Sequence, residues 1–211
     1  MRNNLFLTSS LATVAKDLSS HLDKSVKTFL FVITALEVKE KDLSWRDDDR
    51  KSLTKLGYKL EDYSVTHKSS DEIKDKLSEV DGIIMEGGNT FYLLQQIQLS
   101  KSAVVFREFV KNGGVYIGSS AGSIVAGPDI YPVRRLDNLK DAPNIKGYKG
   151  LCLTDIVILP HWGSPYFKSR YMTRWQQNYN LEHKIVPLTD NQYLVFEKDN
   201  YRIVDVKKDK K

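Results

Sequence analysis

The 211-residue sequence predicts an α/β fold with a largely parallel central sheet flanked by helices. Short apolar runs at residues 29–33, 82–85 and 115–117 are rich in β-branched and aromatic residues, the composition of strands covered on both faces. Helix-sized segments with one apolar face separate them, as parallel crossovers require. A hydrophobic content of 41% over this length provides one sizeable core, so residues 1–206 are expected to form a single domain, followed by a basic tail at 207–211.

Residues 5–10 read as a short strand passing into polar caps, and residues 11–22 as a helix. The almost continuously apolar stretch 26–34 is the best candidate for a central strand. Charged residues dominate 39–55; with Leu43, Trp45, Leu53 and Leu56 as its apolar positions, this region predicts an exposed helix closing at Gly57. A strand follows over 58–65. Ser70-Asp71-Glu72-Ile73 can cap a helix running to Val80, and the buried strand 82–85 ends at Gly87-Gly88. From Thr90, the residues Phe91, Leu94 and Ile97 mark one helical face, and Val104, Val105, Phe109 and Val110 mark a second that ends at Gly113-Gly114. After the strand at Val115-Tyr116-Ile117, residues 128–150 turn to Pro, Gly, Asn, Asp and basic types, predicting a long loop over the carboxyl ends of the sheet. An apolar strand over 151–159 ends in Pro160-His161-Trp162-Gly163, and 166–179 is compatible with a helix. The strand-like run 185–188 precedes Thr189-Asp190-Asn191. Residues 192–197 and 201–206, joined by Lys198-Asp199-Asn200, predict a closing β-hairpin.

Composition excludes several classes of function. The formal charge is +5, but the last five residues supply +3 of it, leaving a body that gives no reason to expect a nucleic-acid face. With one cysteine, Cys152, there is neither an intrachain disulfide nor a cysteine cluster for zinc, and no metal or cofactor is called for. The first ten residues lack a secretory pattern and no apolar stretch reaches membrane-spanning length, so a cytoplasmic protein with no membrane partner is expected.

The chemistry centres on Gly118-Ser119-Ser120-Ala121-Gly122, whose Gly-x-Ser-x-Gly spacing directly after an apolar strand predicts a nucleophile elbow. Ser120 would sit at a strained apex with its hydroxyl exposed, and the Ala121 N–H at the following helix start could donate to an oxyanion. A serine hydroxyl needs a base, and a base works best when a third group fixes its tautomer. His161 is preferred because it directly follows an apolar strand, on the edge of a parallel sheet that would carry Ser120; His21, His67 and His183 lie in polar surroundings. Asp190, beyond the run 185–188, is favoured over Asp129 and Asp155 as the third member. The turn Gly87-Gly88-Asn89-Thr90 can approach a ligand closely, making the Gly88 N–H a second oxyanion donor.

Together, Gly87-Gly88-Asn89-Thr90-Phe91-x-Leu93-Leu94, Gly114-x-Tyr116-Ile117-Gly118-x-Ser120-Ala121-Gly122 and Pro160-His161 resemble the dipeptidase E family. These are serine aspartyl dipeptidases related to cyanophycinases, with a fold like that of class I glutamine amidotransferases. The resemblance implies Ser120 as nucleophile, His161 as base and Gly88 and Ala121 as oxyanion donors. Its third triad member, often glutamate, falls on Asp190, one methylene shorter. Thr173-Arg174 matches the pair whose arginine binds an aspartyl carboxylate, with Arg170 as a rival. Two positions depart from the family pattern: Glu86 replaces a third glycine before Gly87, and Ser119 replaces a bulky aromatic. Glu86 is expected near the mouth of the site, where with Arg174 and Asn89 it would contact substrate, holding the free ammonium or shifting preference away from an N-terminal Asp. The function implied is hydrolysis of dipeptides with an acidic first residue. Short peptides of other kinds, as in the cyanophycinase branch, and a non-catalytic binding protein retaining the elbow are the alternatives; a homo-oligomer is compatible with all three.

Overall fold

The computed structural model of the chain describes residues 4–38, 43–134, 136–172, 183–197 and 200–206. Nine strands are described: β1 (Leu5–Thr8), β2 (Thr28–Val32), β3 (Lys59–Tyr63), β4 (Gly82–Met85), β5 (Val115–Ser119), β6 (Ile156–Leu159), β7 (Lys184–Pro187), β8 (Gln192–Glu197) and β9 (Asn200–Asp205). The α-helices are α1 (Leu11–Ser19), α2 (Ser44–Lys55), α3 (Ser70–Leu77), α4 (Thr90–Leu99), α5 (Ala103–Lys111), α6 (Ala121–Ala126) and α7 (Pro165–Met172).

Seven strands form one sheet in the order β3-β2-β4-β5-β1-β8-β9. The first five are mutually parallel, and β8 and β9 add an antiparallel hairpin beside β1. Alternating side chains feed two cores. Phe29 and Phe31 of β2, Phe6 of β1 and Ile84 of β4 pack with Leu11, Val14 and Leu18 of α1 and Leu53 of α2. On the other face, Leu30, Val32, Leu5, Leu7, Ile83 and Met85 pack with Phe91 and Leu94 of α4, Phe106 of α5 and Ile124 of α6. Local chemistry sets the ends of the helices: Ser69 and Glu72 form a reciprocal capping box at the start of α3.

Two expectations are corrected. The best candidate for a central strand, β2, lies second from the edge, and β5 is in the middle; burial on both faces marks any covered interior strand and carries no information about order. The strand expected over 151–159 is reduced to β6, which pairs in parallel with β7 as a separate two-stranded ribbon outside the main sheet. Its first residues are diverted because the N–H groups of Leu151, Cys152 and Leu153 donate to the carbonyls of Val125, Gly127 and Ala126. Those bonds satisfy the carboxyl end of α6 and leave nothing for a ladder. The loop 128–150 contains two short 3₁₀ turns, Tyr131–Val133 and Leu139–Asp141. No described helix is long and apolar enough to cross a membrane.

Candidate active site

β5 is buried along its whole length and hands the chain to Ser120 at φ 47°, ψ −105°. A non-glycine residue there costs about 1–3 kcal/mol and persists only when its neighbours over-determine it. They do so here. The Ser120 N–H donates to the Thr8 carbonyl at 3.1 Å, Ser123 Oγ donates to the same carbonyl at 2.7 Å, and Thr8 Oγ1 donates to the Gly118 carbonyl at 2.9 Å. A Cβ on Gly118 would lie 2.7 Å from Ser123 N, and one on Gly122 would lie 1.8 Å from Met85 O. These glycines therefore allow α6 to fold down onto β5 and β4. Gly122→Ala is expected to cost about 1–3 kcal/mol through overpacking, read as a lower urea midpoint at unchanged m-value.

His161 follows β6 at φ 60°, a second non-glycine residue in the left-handed region. Its Nε2 lies 2.9 Å from Ser120 Oγ, and its Nδ1 lies 2.7 Å from Asp190 Oδ1. The carboxylate can only accept, so the proton sits on Nδ1 and Nε2 is left to accept from the serine hydroxyl. Phe167 of α7 stacks on the imidazole at 4.5 Å between ring centroids and 10° between planes. Asp190 reaches the ring despite its short side chain because β7 runs beside β6, with the Leu188 N–H donating to Leu159 O and the Trp162 N–H to Leu188 O.

Ser9 was not singled out by sequence, yet it ties these groups together. Its Oγ accepts the His161 N–H at 2.7 Å and donates to Asp190 Oδ1 at 2.8 Å. It arrives there because β1 is the direct neighbour of β5, an adjacency that no local pattern reveals. Ser9→Ala is expected to lower kcat about tenfold to a hundredfold with KM little changed, the rate equivalent of a hydrogen bond to a charged group worth ~1.5–3 kcal/mol. Steady-state kinetics checks it.

The Gly87-Gly88 turn lies against the elbow: a Cβ on Gly87 would be 3.3 Å from Ser120 Cβ and 3.2 Å from the Trp45 ring. Gly88, at φ 136°, is pressed onto the Ala35 backbone, and its N–H has no acceptor among the described residues. Ala121 opens α6, where an N–H has no intrahelical acceptor.

The expected substrate contacts fare differently. Asn89 is fully buried as the cap of α4; its Oδ1 accepts from the Phe91 and Tyr92 N–H groups and its Nδ2 donates to Asn138 O and Asp141 Oδ2. It pins the loop 128–150 to α4 and has no group left for substrate. Glu86 is not at the mouth but wholly buried beneath the turn, with Oε2 accepting the Gly87 N–H at 3.0 Å. Burial, then the neighbouring Asp49 carboxyl, pushes its pKa well above the usual carboxylate range. An acid so placed does not meet a substrate ammonium. Arg174 lies outside the described residues. Its rival Arg170 donates to the Leu136 carbonyl at 2.6 Å and lies over the Tyr166 and Phe167 rings. Among the described residues no cluster of His, Cys, Asp and Glu could hold a metal.

Comparison with known proteins fits this geometry. A model described as peptidase family S51 matches residues 5–204. An uncharacterised peptidase of Listeria monocytogenes is 36% identical over 168 residues, covering 78% of this chain and 80% of that protein. Peptidase E of a Nostoc species is 30% identical over 149 residues, 70% of this chain and 57% of its own length. A crystal structure described as a peptidase E protein from Listeria monocytogenes EGD-e superposes with a TM-score of 0.88 at 28% identity, over 98% of this chain and 100% of that one. A peptidase from an acI-B1 actinobacterium shares the fold with a TM-score of 0.71 at 20% identity, over 97% and 88% of the two chains.

Proposed function

Because the chain belongs to peptidase family S51 and is a serine-type peptidase, we propose that it hydrolyses short peptides, foremost dipeptides with an acidic first residue, through Ser120, His161 and Asp190. The observation that carries this reading is the unbroken line of bonds from Ser120 Oγ through the His161 ring to Asp190 Oδ1. As the serine oxygen attacks the peptide carbonyl, Nε2 takes its proton, and the Asp190 carboxylate stabilises the imidazolium that forms. The carbonyl oxygen becomes an oxyanion held by the N–H groups of Gly88 and Ala121. His161 then returns the proton to the leaving amine, and water repeats the sequence on the acyl-enzyme.

The acidic preference rests on Arg174, whose guanidinium fork suits a carboxylate. Asp-Leu is expected to be cleaved faster than Ala-Leu and Arg-Leu, and Arg174→Ala to abolish that ranking. A fluorophosphonate probe is expected to label Ser120. No label together with no cleavage across a dipeptide library would overturn the proposal, whereas cleavage with a different ranking would redirect the specificity alone.

A further inference from the structure

Glu86 and Asp49 are buried carboxyl groups that the hydrolytic steps do not use, and they meet beneath the elbow. Glu86 Oε2 accepts the Gly87 N–H, while Oε1 meets no donor among the described residues. Asp49 enters from α2: its Oδ1 accepts the Ala12 N–H at 2.6 Å, and its Oδ2 accepts the Ser119 hydroxyl at 3.1 Å. Asp49 reaches Ser119, and Glu86 follows Met85, which pairs with Gly118 beside Ser119, so the two carboxyls face each other in one buried volume and each lies within the other's electrostatic reach. Two carboxyl groups so close in a dry volume cannot both ionise, so one of them carries a proton.

The other charges facing the pair are Arg46 and Asp48, both on α2. Asp48 adds repulsion. Arg46 lowers the Glu86 pKa only weakly, because its guanidinium is directed to Asp62 at 2.5 Å, and among the described residues its buried Nε meets no acceptor. The pair touches three segments that carry reactive groups. Gly87 precedes the donor Gly88, Ser119 precedes Ser120, and Ala12 lies in the first turn after Ser9-Ser10. Glu86 and Ser119, the two departures from the family motif, therefore converge on one carboxyl.

We propose that Glu86 and Asp49 are positioning residues that share one proton and through it hold the Gly87-Gly88 turn and the end of β5 in register for catalysis. This rests on the reading of Ser120 as nucleophile and Gly88 as donor. When the proton leaves, two negative charges occupy one dry volume; they separate or draw in water, and the turn and the strand end lose their common anchor. Burial raises both groups above the usual carboxylate range, Asp49 to about 6, and the neighbouring carboxyl raises Glu86 further. Both pKa values are raised on folding, so this contribution to stability is complete below the unfolded carboxylate range and is lost as pH rises through the folded value.

The test compares wild type, Glu86→Gln and Glu86→Ala for the rate of fluorophosphonate labelling at Ser120 and for the thermal midpoint, each from mildly acidic to alkaline pH. Glutamine keeps an acceptor for Gly87 and a donor for Asp49 but has no proton to lose. The expected result is an alkaline decline of both quantities in wild type that is absent in Glu86→Gln. Glu86→Ala, which removes the bond to Gly87 and the second carboxyl, is expected to label at least about tenfold more slowly at every pH, the scale of a small misplacement of reactive groups. If Glu86→Ala does not fold, the glutamine variant alone decides. Wild type and Glu86→Gln profiles that superimpose in both measurements would overturn the proposal. An unlabelled wild type would overturn the serine assignment instead, while the thermal profiles still judge the pair.

Discussion

Ser120→Ala is expected to lower kcat/KM for peptide hydrolysis by about 10⁵–10⁶-fold, the scale at which loss of a serine nucleophile removes the whole triad pathway. Among the described residues, the Ser120 hydroxyl is the group bonded to Nε2, at 2.9 Å, so its loss removes the attacking oxygen. Ser119 faces away, bonded to Asp49. Substrate affinity is expected to change little, because Oγ enters the transition state and not the bound ground state. The same position offers a check on strain. At φ 47° alanine keeps the serine's conformational cost whereas glycine does not, so Ser120→Gly is expected to unfold at a higher temperature than Ser120→Ala although both are inactive. Turnover near the wild-type rate in either variant would remove Ser120 from its role.

Asp190→Ala is expected to lower kcat by about 10³–10⁴-fold, less than loss of the serine because orientation of the base is removed and the base itself remains. Its side chain is 44% exposed, so water can solvate the imidazolium in its absence and the lower end of that range applies. Asp190→Asn is expected to fall between wild type and alanine. Its amide oxygen can still accept from Nδ1 and from Ser9, but it brings no charge to the transition state. Pre-steady-state acylation rates separate this effect from product release, and a loss below tenfold would exclude Asp190 as the orienting acid.

Much of this arrangement is legible in sequence because it is local. Gly118 and Gly122 announce the elbow at fixed offsets from Ser120, and both contacts that demand glycine involve residues of the same strand–turn–helix or the strand beside it. The apolar alternation through Phe29, Leu30, Phe31 and Val32 marks a strand with two covered faces. Asn89 and Glu86 were misplaced for one reason: residue type and chain position identify a polar group near a site but not the direction in which its side chain points. Asn89 turned to its own helix and to the loop beyond it, and Glu86 turned to Asp49, 37 residues earlier in the chain.

By itself the sequence determined the α/β class and offered Ser120 at an elbow, with His161 and Asp190 as candidate partners, since these follow from periodicity, glycine sterics and residue chemistry within short windows. Only the tertiary structure decided that His161 and Asp190 come from a separate β6-β7 ribbon, that Ser9 braces them from β1, and that two acids share a buried volume under the turn. Strand order and burial are set by contacts distant in sequence, and those contacts, more than any motif, determine which hydrogen bonds each polar group can make.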